Sequence, residues 1–472
     1  MALNLVRNSR VFFTTNVDST TGVIQTTGAT TSNTFEIQVL DGFTFSQNTN
    51  QDTVTISEAG GAPVRGQRAF NTSLAPVDFS FSTYVRPYTA SSVVSAEESV
   101  LWNALMGTVS QGTAAVTVGG TISGVTYAYA SGVGTLTIAG TSLTATGVAV
   151  GDIVTIGSIS ATSPAASITA INAPATVKTI SGTSITLEYI NPTATATTIT
   201  TPASVKFYKS PWAPVNTGFT VVTAAASNSN QLQKFGMLFV VDSVVYAVDN
   251  SALNQVSIDF GLDAIATLSW TGQATQLRQI TSTLSGSTFT GAGFAGTAAA
   301  KNTTAGYITN KLSTVSLSLV NALGSAAAGT SYAVALTGGS ITINNNISYI
   351  TPANLGAVNV PVTYYTGTRS ITGTMNAYLK TGAGVGSTGQ LLADMLAAAS
   401  SSAEPMVALQ IAIGGIANTV KVVLDMPSAT ITIPTVDVQQ VVSTAINFTA
   451  QGSTGNTFDL EKTNDIAVRY YA

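Results

Sequence analysis

Residues that could do chemistry fall into three small groups. Gly384-Val-Gly-Ser-Thr-Gly389 follows an alternating stretch, opens a helical one, and has Glu404 twenty residues beyond its first glycine, the spacing of a dinucleotide-binding loop. Such a loop needs its acid at the carboxyl end of the next strand. Glu404 instead precedes the apolar run at 407–413, so the glycines read as a connection. Glu97 with Glu98, and Asp259 with Asp263, are carboxylates near enough in sequence to pair. The first two read as a helix first turn, where acids favour the macrodipole. The second two fall on the polar side of an alternating strand and in the turn after it, solvated or lining an acidic channel wall. No Walker loop, metal cluster or nucleophile constellation stands out, and the sequence assigns no catalytic, cofactor-binding or metal-binding residue.

The 472 residues include neither cysteine nor histidine, which removes disulfides, thiolates, Cys/His metal sites and His-dependent triads together. Enzyme chemistry would have to rest on carboxylates, Lys, Tyr or Ser. With 17 basic and 21 acidic residues the net charge is −4, which argues against a nucleic-acid binder built on basic patches and leaves open a surface along which DNA slides. Charged residues make up 8%, against roughly 25% in an average soluble protein. Thr, Ser, Ala and Gly must therefore cover the surface, or neighbouring subunits must, and an assembly is favoured over a free monomer. Residues 1–7 carry no long apolar h-region, and Gly, Thr and Pro interrupt every apolar stretch before a membrane span accumulates.

The elements that position these groups occur twice. Residues 78–88 alternate in polarity and are followed by a Ser/Val loop and an amphipathic stretch at 95–106; residues 369–379 are followed by a Gly-rich loop and a second such stretch at 387–398. Val100, Leu101, Ala104 and Leu105 have the spacing of Leu391, Leu392, Met395 and Leu396, one face of a 3.6-residue period. Capping-box patterns open both helices, Ser95 to Glu98 and Ser387 to Gln390. Other elements match in order: 339–345 with 42–47, 407–413 with 237–241, 429–433 with 256–260, and 445–451 with 267–273. Matched order over four or five elements implies an internal duplication.

Between the copies lie three stretches of different character. Residues 47–71, with Asp52, Glu58, Arg65 and Arg68, are too long for a hairpin turn and too mixed in charge for a core, and read as a solvated loop or a docking arm. Residues 108–210 form a Gly/Thr/Ala/Ser meander with strands at 134–138, 152–156 and 184–189, an inserted all-β domain of ordinary size. Residues 281–305 read as a linker.

The order of these residues resembles the major tail tube proteins of long-tailed bacteriophages, of the tequintavirus type with two tube domains per subunit. The resemblance is carried by Leu5-Val-Arg-Asn-Ser-Arg-Val-Phe12, Ser57-Glu-Ala-Gly60 with Arg65-Gly66, Phe79-Ser-Phe-Ser-Thr-Tyr-Val85, Leu101-Trp-Asn-Ala-Leu105, Asn310-Lys-Leu312, the long 339–352 segment and Thr374-Met-Asn-Ala-Tyr-Leu379. It implies a mainly β fold with two tandem tail-tube-type β-sandwich domains, each with one flanking α-helix, plus a small inserted immunoglobulin-like domain. The divisions are 1–107 with 211–280, then 108–210, a linker at 281–305, and 306–472. Three chains would close a pseudo-sixfold ring, and stacked rings would form a hollow conduit for DNA delivery.

That reading implies Asp259 and Asp263 as channel-lining candidates. Asp52, Glu58, Arg65, Arg68, Asn344, Asn345 and Asn346 become candidates for inter-subunit or inter-ring loops. The partners implied are further copies of the chain, other tail proteins at the tube ends, a tape-measure protein and then DNA in the lumen, with no cofactor. The protein would be a virion component assembled in the host cytoplasm. Family members can carry an extra domain after the second copy, whereas here it interrupts the first, and it is expected to project outward because a luminal insertion would block passage. A surface adhesin or decoration protein, whose inserted domain binds host carbohydrate, is the alternative.

Overall fold

The computed structural model describes residues 9–55, 67–90, 93–106, 116–130, 133–145, 148, 150, 153–157, 174–189, 197–199, 205–209, 219–222, 232–262, 264–323, 326–353, 355, 358–380, 386–399, 405–415, 420–438, 441–454, 457–458 and 465–471. The protein is mainly β. In the first half, β1 (Arg10–Thr14), β2 (Thr34–Ile37), β3 (Thr44–Thr55) and β4 (Gln67–Tyr84) precede a hairpin, β5 (Pro87–Ala90) and β6 (Val93–Ala96), and helix α1 (Ser99–Met106). The insertion holds β7 (Val116–Thr117), β8 (Gly119–Ala130), β9 (Val133–Thr144), β10 (Ile153–Gly157), β11 (Pro174–Ile180), β12 (Ser184–Tyr189), β13 (Thr197–Ile199) and β14 (Lys206–Lys209). The first half then resumes with β15 (Phe219–Val222), β16 (Phe235–Val241), β17 (Val244–Gly261), β18 (Thr267–Ala274) and β19 (Gln276–Ile280), followed by β20 (Thr283–Ser285), β21 (Thr288–Thr290) and β22 (Gly296–Thr297).

The second half comprises β23 (Thr314–Leu319), β24 (Ser331–Tyr332), β25 (Leu336–Asn344), β26 (Ile347–Ile350), β27 (Thr363–Thr366), β28 (Ser370–Tyr378), α2 (Thr388–Ala398), β29 (Met406–Gly414), β30 (Lys421–Ile431), β31 (Thr435–Asp437), β32 (Ser443–Ala450), a short hairpin of β33 (Ser453–Thr454) and β34 (Thr457–Phe458), and β35 (Ala467–Tyr471). Strand order is the same in both halves. The first runs β3-β4-β18-β17-β16-β1-β2, and the second β25-β28-β32-β30-β29-β23-β24, every pair antiparallel. β17 also pairs with β25, so the two copies share one sheet.

The strict alternation of β18 and β32 puts Leu268 and Trp270, or Ile446 and Phe448, into one core and Thr267, Ser269 and Thr271, or Asn447 and Thr449, outward. β16 is apolar throughout and buried on both faces. A one-letter match would set Val256 against Ala429. The ladders set it against Ile431 instead, since Val256 opposes Trp270 and Ile431 opposes Phe448. A two-residue slip keeps every side chain on its face, so alternation alone does not detect it.

Four expectations are corrected. Residues 47–55 and 67–71 are not loop but the outer part of the β3–β4 ribbon, paired from Gln47 with Val77 out to Thr55 with Gln67. The expected linker at 281–305 contains a three-stranded sheet of β20 to β22, and Phe289 and Phe294 pack with Phe12 in a second core. Among its described residues the insertion does not show the two facing sheets of an immunoglobulin-like domain. Its pairings run β8-β9-β12-β11-β10-β14-β7, and β7 leads through Val118 directly into β8, so one sheet closes as a small barrel around its own core. Gly120, at φ +95, lies at the bulge where the strand bends, and a side chain there would meet the carbonyls of Thr141 and Ser142.

The fourth correction concerns the helices. α2 is capped as expected, with Gln390 N donating to Ser387 Oγ at 3.1 Å, but its buried face is rotated. Asp394 faces inward to accept from Tyr332 Oη at 2.8 Å, and Leu396 is 56% exposed. α1 starts only at Ser99, because Ser95 belongs to β6 and Glu98 caps nothing with its side chain. The Glu98 carboxylate is buried and accepts from Tyr470 Oη at 2.7 Å and from Arg86 N at 3.3 Å, while Trp102 Nε1 donates to Tyr470 Oη at 2.6 Å. Glu97 pairs with Arg86. The last strand of the second copy is thereby tied to the helix of the first.

Burial pushes the Glu98 carboxyl up to about 7 from its ordinary 4.5, against the lowering effect of the Tyr470 bond. A folded pKa above the unfolded one means that the folded state holds the extra proton between those values. The contribution of this group is therefore complete below pH 4.5 and lost as pH rises through 7. Thermal midpoints from pH 5 to 8 are expected to fall less in Glu98→Gln than in the unsubstituted protein; equal slopes would exclude Glu98 as their source.

Candidate channel-lining surface

The sheet shared by the copies has one apolar and one polar face, and the polar face is ordered in rows. Ser82, Ser269, Ser257, Thr342, Thr372, Thr449 and Thr430 stand abreast across seven adjacent strands, each the ladder partner of the next. One row toward the Gly261 end stand Tyr84, Thr267, Asp259, Ser340, Thr374 and Asn447. One row toward the ribbon stand Thr44, Ser80, Thr271, Gln255, Asn344 and Ser370.

Hydroxyls and amides bond across the strands: Thr44 with Ser80 at 2.8 Å, Ser82 with Ser269 at 3.2 Å, Gln273 Nε2 to Asp78 Oδ1 at 2.9 Å, and Thr374 Oγ1 to Asn447 Oδ1 at 2.7 Å. Such pairs satisfy much of the polar surface internally and need no counter-charge. Among the described residues of these rows and the adjoining Asp78, the only ionisable groups apart from Tyr84 are the carboxylates of Asp78 and Asp259. Among these described residues the face offers hydroxyls and amides to solvent and no cation that could hold a polyanion.

The candidate residues separate on this frame. Asp259 is exposed on the polar face, between Thr267 and Ser340, while Asp263 lies outside the described residues. Asp52 and Arg68 are exposed on the outer ribbon, and Glu58 and Arg65 lie outside the described residues. Asn344, Asn345 and Asn346 do not act together. Asn345 is buried and donates to Leu105 O at 2.8 Å and Leu253 O at 3.3 Å, an internal tie rather than a loop contact. Asn344 Oδ1 accepts from Asn346 N at 2.8 Å, and exposed Asn346, at φ +49, donates to Thr368 O at 2.6 Å.

Sequence reasoning missed the rows, although Ser or Thr at every second position of 80–82, 267–271, 340–342 and 372–374 was the available signal. It also missed a buried ion pair that both copies carry. Arg278 donates to Asp249 at 2.5 and 3.1 Å, and Arg469 to Asp425 at 2.5 and 3.0 Å, from the strand that pairs with the first half of β17 or β30.

A face made almost wholly of neutral hydroxyl and amide side chains, with no cation among its described residues, runs unbroken across two copies of one fold. The chain resembles the tequintavirus tail tube protein. It is 24% identical over 399 residues to tail tube protein pb6 of Escherichia phage T5, a match that covers 80% of this chain. The match spans 58% of that relative's length. No protein-family model matches the chain.

Proposed function

We propose that this protein is the structural subunit of a phage tail tube, that three chains close a pseudo-sixfold ring, and that stacked rings form a conduit for DNA. The observation that carries the reading is the hydroxyl face shared by both copies. A wall of this kind avoids the counterion release that makes a basic surface hold phosphates, so a duplex passes without sticking. The tail tube relative supports the structural role. In this reading Asp259 faces the lumen, the β3–β4 ribbon reaches the next ring, and the tube ends meet other tail proteins. A tape-measure protein occupies the lumen before DNA does, and the tube is assembled in the host cytoplasm and resides in the virion.

The division into tube domains at 1–107 with 211–280 and at 306–472 belongs to the same reading. The barrel within 108–210 projects outward. In support, its Thr176, Lys178, Glu188 and Tyr189 line a cleft with Val320, Ala408 and Pro427, and Ala408 lies on β29, a strand that carries none of the hydroxyl rows. Electron microscopy of the purified protein tests the whole: hollow tubes of stacked rings are expected, with barrel density outside. Monodisperse particles that bind glycans would favour the adhesin.

A further inference from the structure

Where the first copy gives way to the second, the chain crosses the end of their shared strand pair in a single 3-10 turn, Asn310–Leu312. The crossing is fastened to both copies. Asn310 N donates to Ala264 O at 3.0 Å, just after β17, and Ser313 Oγ accepts from Gly414 N at 3.3 Å, at the end of β29. Beside these ties lies an open cleft of about 250 Å³. Gly261 and Leu262 of the first copy line it, with Asn310, Lys311 and Ser313 of the crossing and Thr337 of the second copy.

Asn310 is out of place there as a purely structural residue. It is only 4% exposed, yet neither its Oδ1 nor its Nδ2 has a hydrogen-bond partner. Burying a carboxamide without partners is unfavourable, and a leucine of similar size would fill the space without that penalty. The groups around it indicate what could meet it. Lys311 is exposed and has no ion-pair partner among the described residues, and the Thr337 hydroxyl makes no hydrogen bond among them. Ser313 Oγ, already an acceptor, keeps its own proton to donate.

No described residue that lines the cleft is acidic. An ammonium, an amide N–H pair and two hydroxyls are thus gathered without a carboxylate to neutralise them. The one unpaired acceptor, Asn310 Oδ1, can be served by the ammonium, which carries three protons. Donors in this surplus suit an oxyanion, whose several lone pairs take charge-assisted bonds.

We infer that this cleft binds a small oxyanion of the phosphate type, with Asn310 and Lys311 as its principal contacts and the hydroxyls of Ser313 and Thr337 beside them. Seated there, the anion touches the first copy, the crossing and the second copy at once. Its binding therefore stabilises their arrangement, increasingly as its concentration exceeds Kd. The site lies within one chain and does not depend on ring closure.

Dispersed full-length protein, titrated with sodium phosphate at an ionic strength held constant with sodium chloride, is expected to melt at rising temperature and to titrate calorimetrically as one site per chain. Lys311→Gln, at an exposed position, is expected to weaken the affinity about tenfold or more. Asn310→Leu is expected to abolish the response, and Arg68→Gln, an exposed cation on the outer ribbon, to leave it unchanged. A short oligothymidylate distinguishes the source of the phosphate: competition assigns the site to nucleic-acid backbone, and lack of competition assigns it to the free ion. No response in the unsubstituted protein, or an equal response in all three variants, would overturn the site. Should Asn310→Leu fail to fold, an unchanged affinity in Lys311→Gln overturns it alone.

Discussion

Asp425→Ala is expected to destabilise the protein by about 3–5 kcal/mol, read as a lower denaturant midpoint on dispersed subunits. Asp425 is fully buried and Arg469 is 4% exposed, and the guanidinium reaches both carboxylate oxygens. Gln410 Nε2 donates to Asp425 Oδ1 at 2.6 Å as well. Removing the carboxylate leaves a desolvated cation between β30 and β35, and the loss comes mainly from that uncompensated charge rather than from the bond itself. Arg469→Met added to Asp425→Ala is therefore expected to recover most of the stability. The same change in the first copy, Asp249→Ala, is expected to cost less, because Arg278 is 28% exposed and can turn to water. A loss below about 1 kcal/mol for Asp425→Ala, or no recovery in the double variant, would rule out this account.

That ion pair also marks where sequence reading stops. The duplication was legible because each copy repeats a two-residue alternation and a helix at the same places, and alternation reports burial directly. It does not report register, so the match of Val256 with Ala429 slipped by two residues without moving any side chain to the wrong face. Asp249 with Arg278 and Asp425 with Arg469 are 29 and 44 residues apart, and nothing local announces that they meet. The start of α1 was misread for a related reason. Ser95 and Glu98 have capping-box spacing, but a hairpin strand claims Ser95, and Tyr470, from the far end of the chain, claims Glu98. For the candidate site, Asp259 was legible as an exposed position on an alternating strand, whereas Asn345 looked like its neighbours until its amide was seen to hold α1 and β17 together.

If the proposed tube reading holds, Asp259→Lys is expected to turn a wall along which DNA slips into one that retains it. Asp259 is exposed beside Thr267 and Ser340, where a longer side chain meets solvent rather than core, so assembly is expected to survive. Each substitution changes the charge by two, and under the proposed closure every ring gains three lysines on rows that hold no cation among the described residues. Each phosphate they neutralise releases counterions and contributes a slope of about −0.9 in the dependence of log affinity on log salt. Stacked rings multiply the contacts along one duplex. Short duplexes incubated with variant tubes at low salt are therefore expected to become nuclease-resistant and to be released steeply as salt rises. Asp259→Asn should produce neither effect, because removing repulsion supplies no cation. Thr126→Lys, on the exposed side of the barrel, adds a lysine away from the proposed lumen and is expected to give no protection. Protection by the Thr126 variant, or its absence in well-formed Asp259→Lys tubes, would show that the hydroxyl rows do not face the channel.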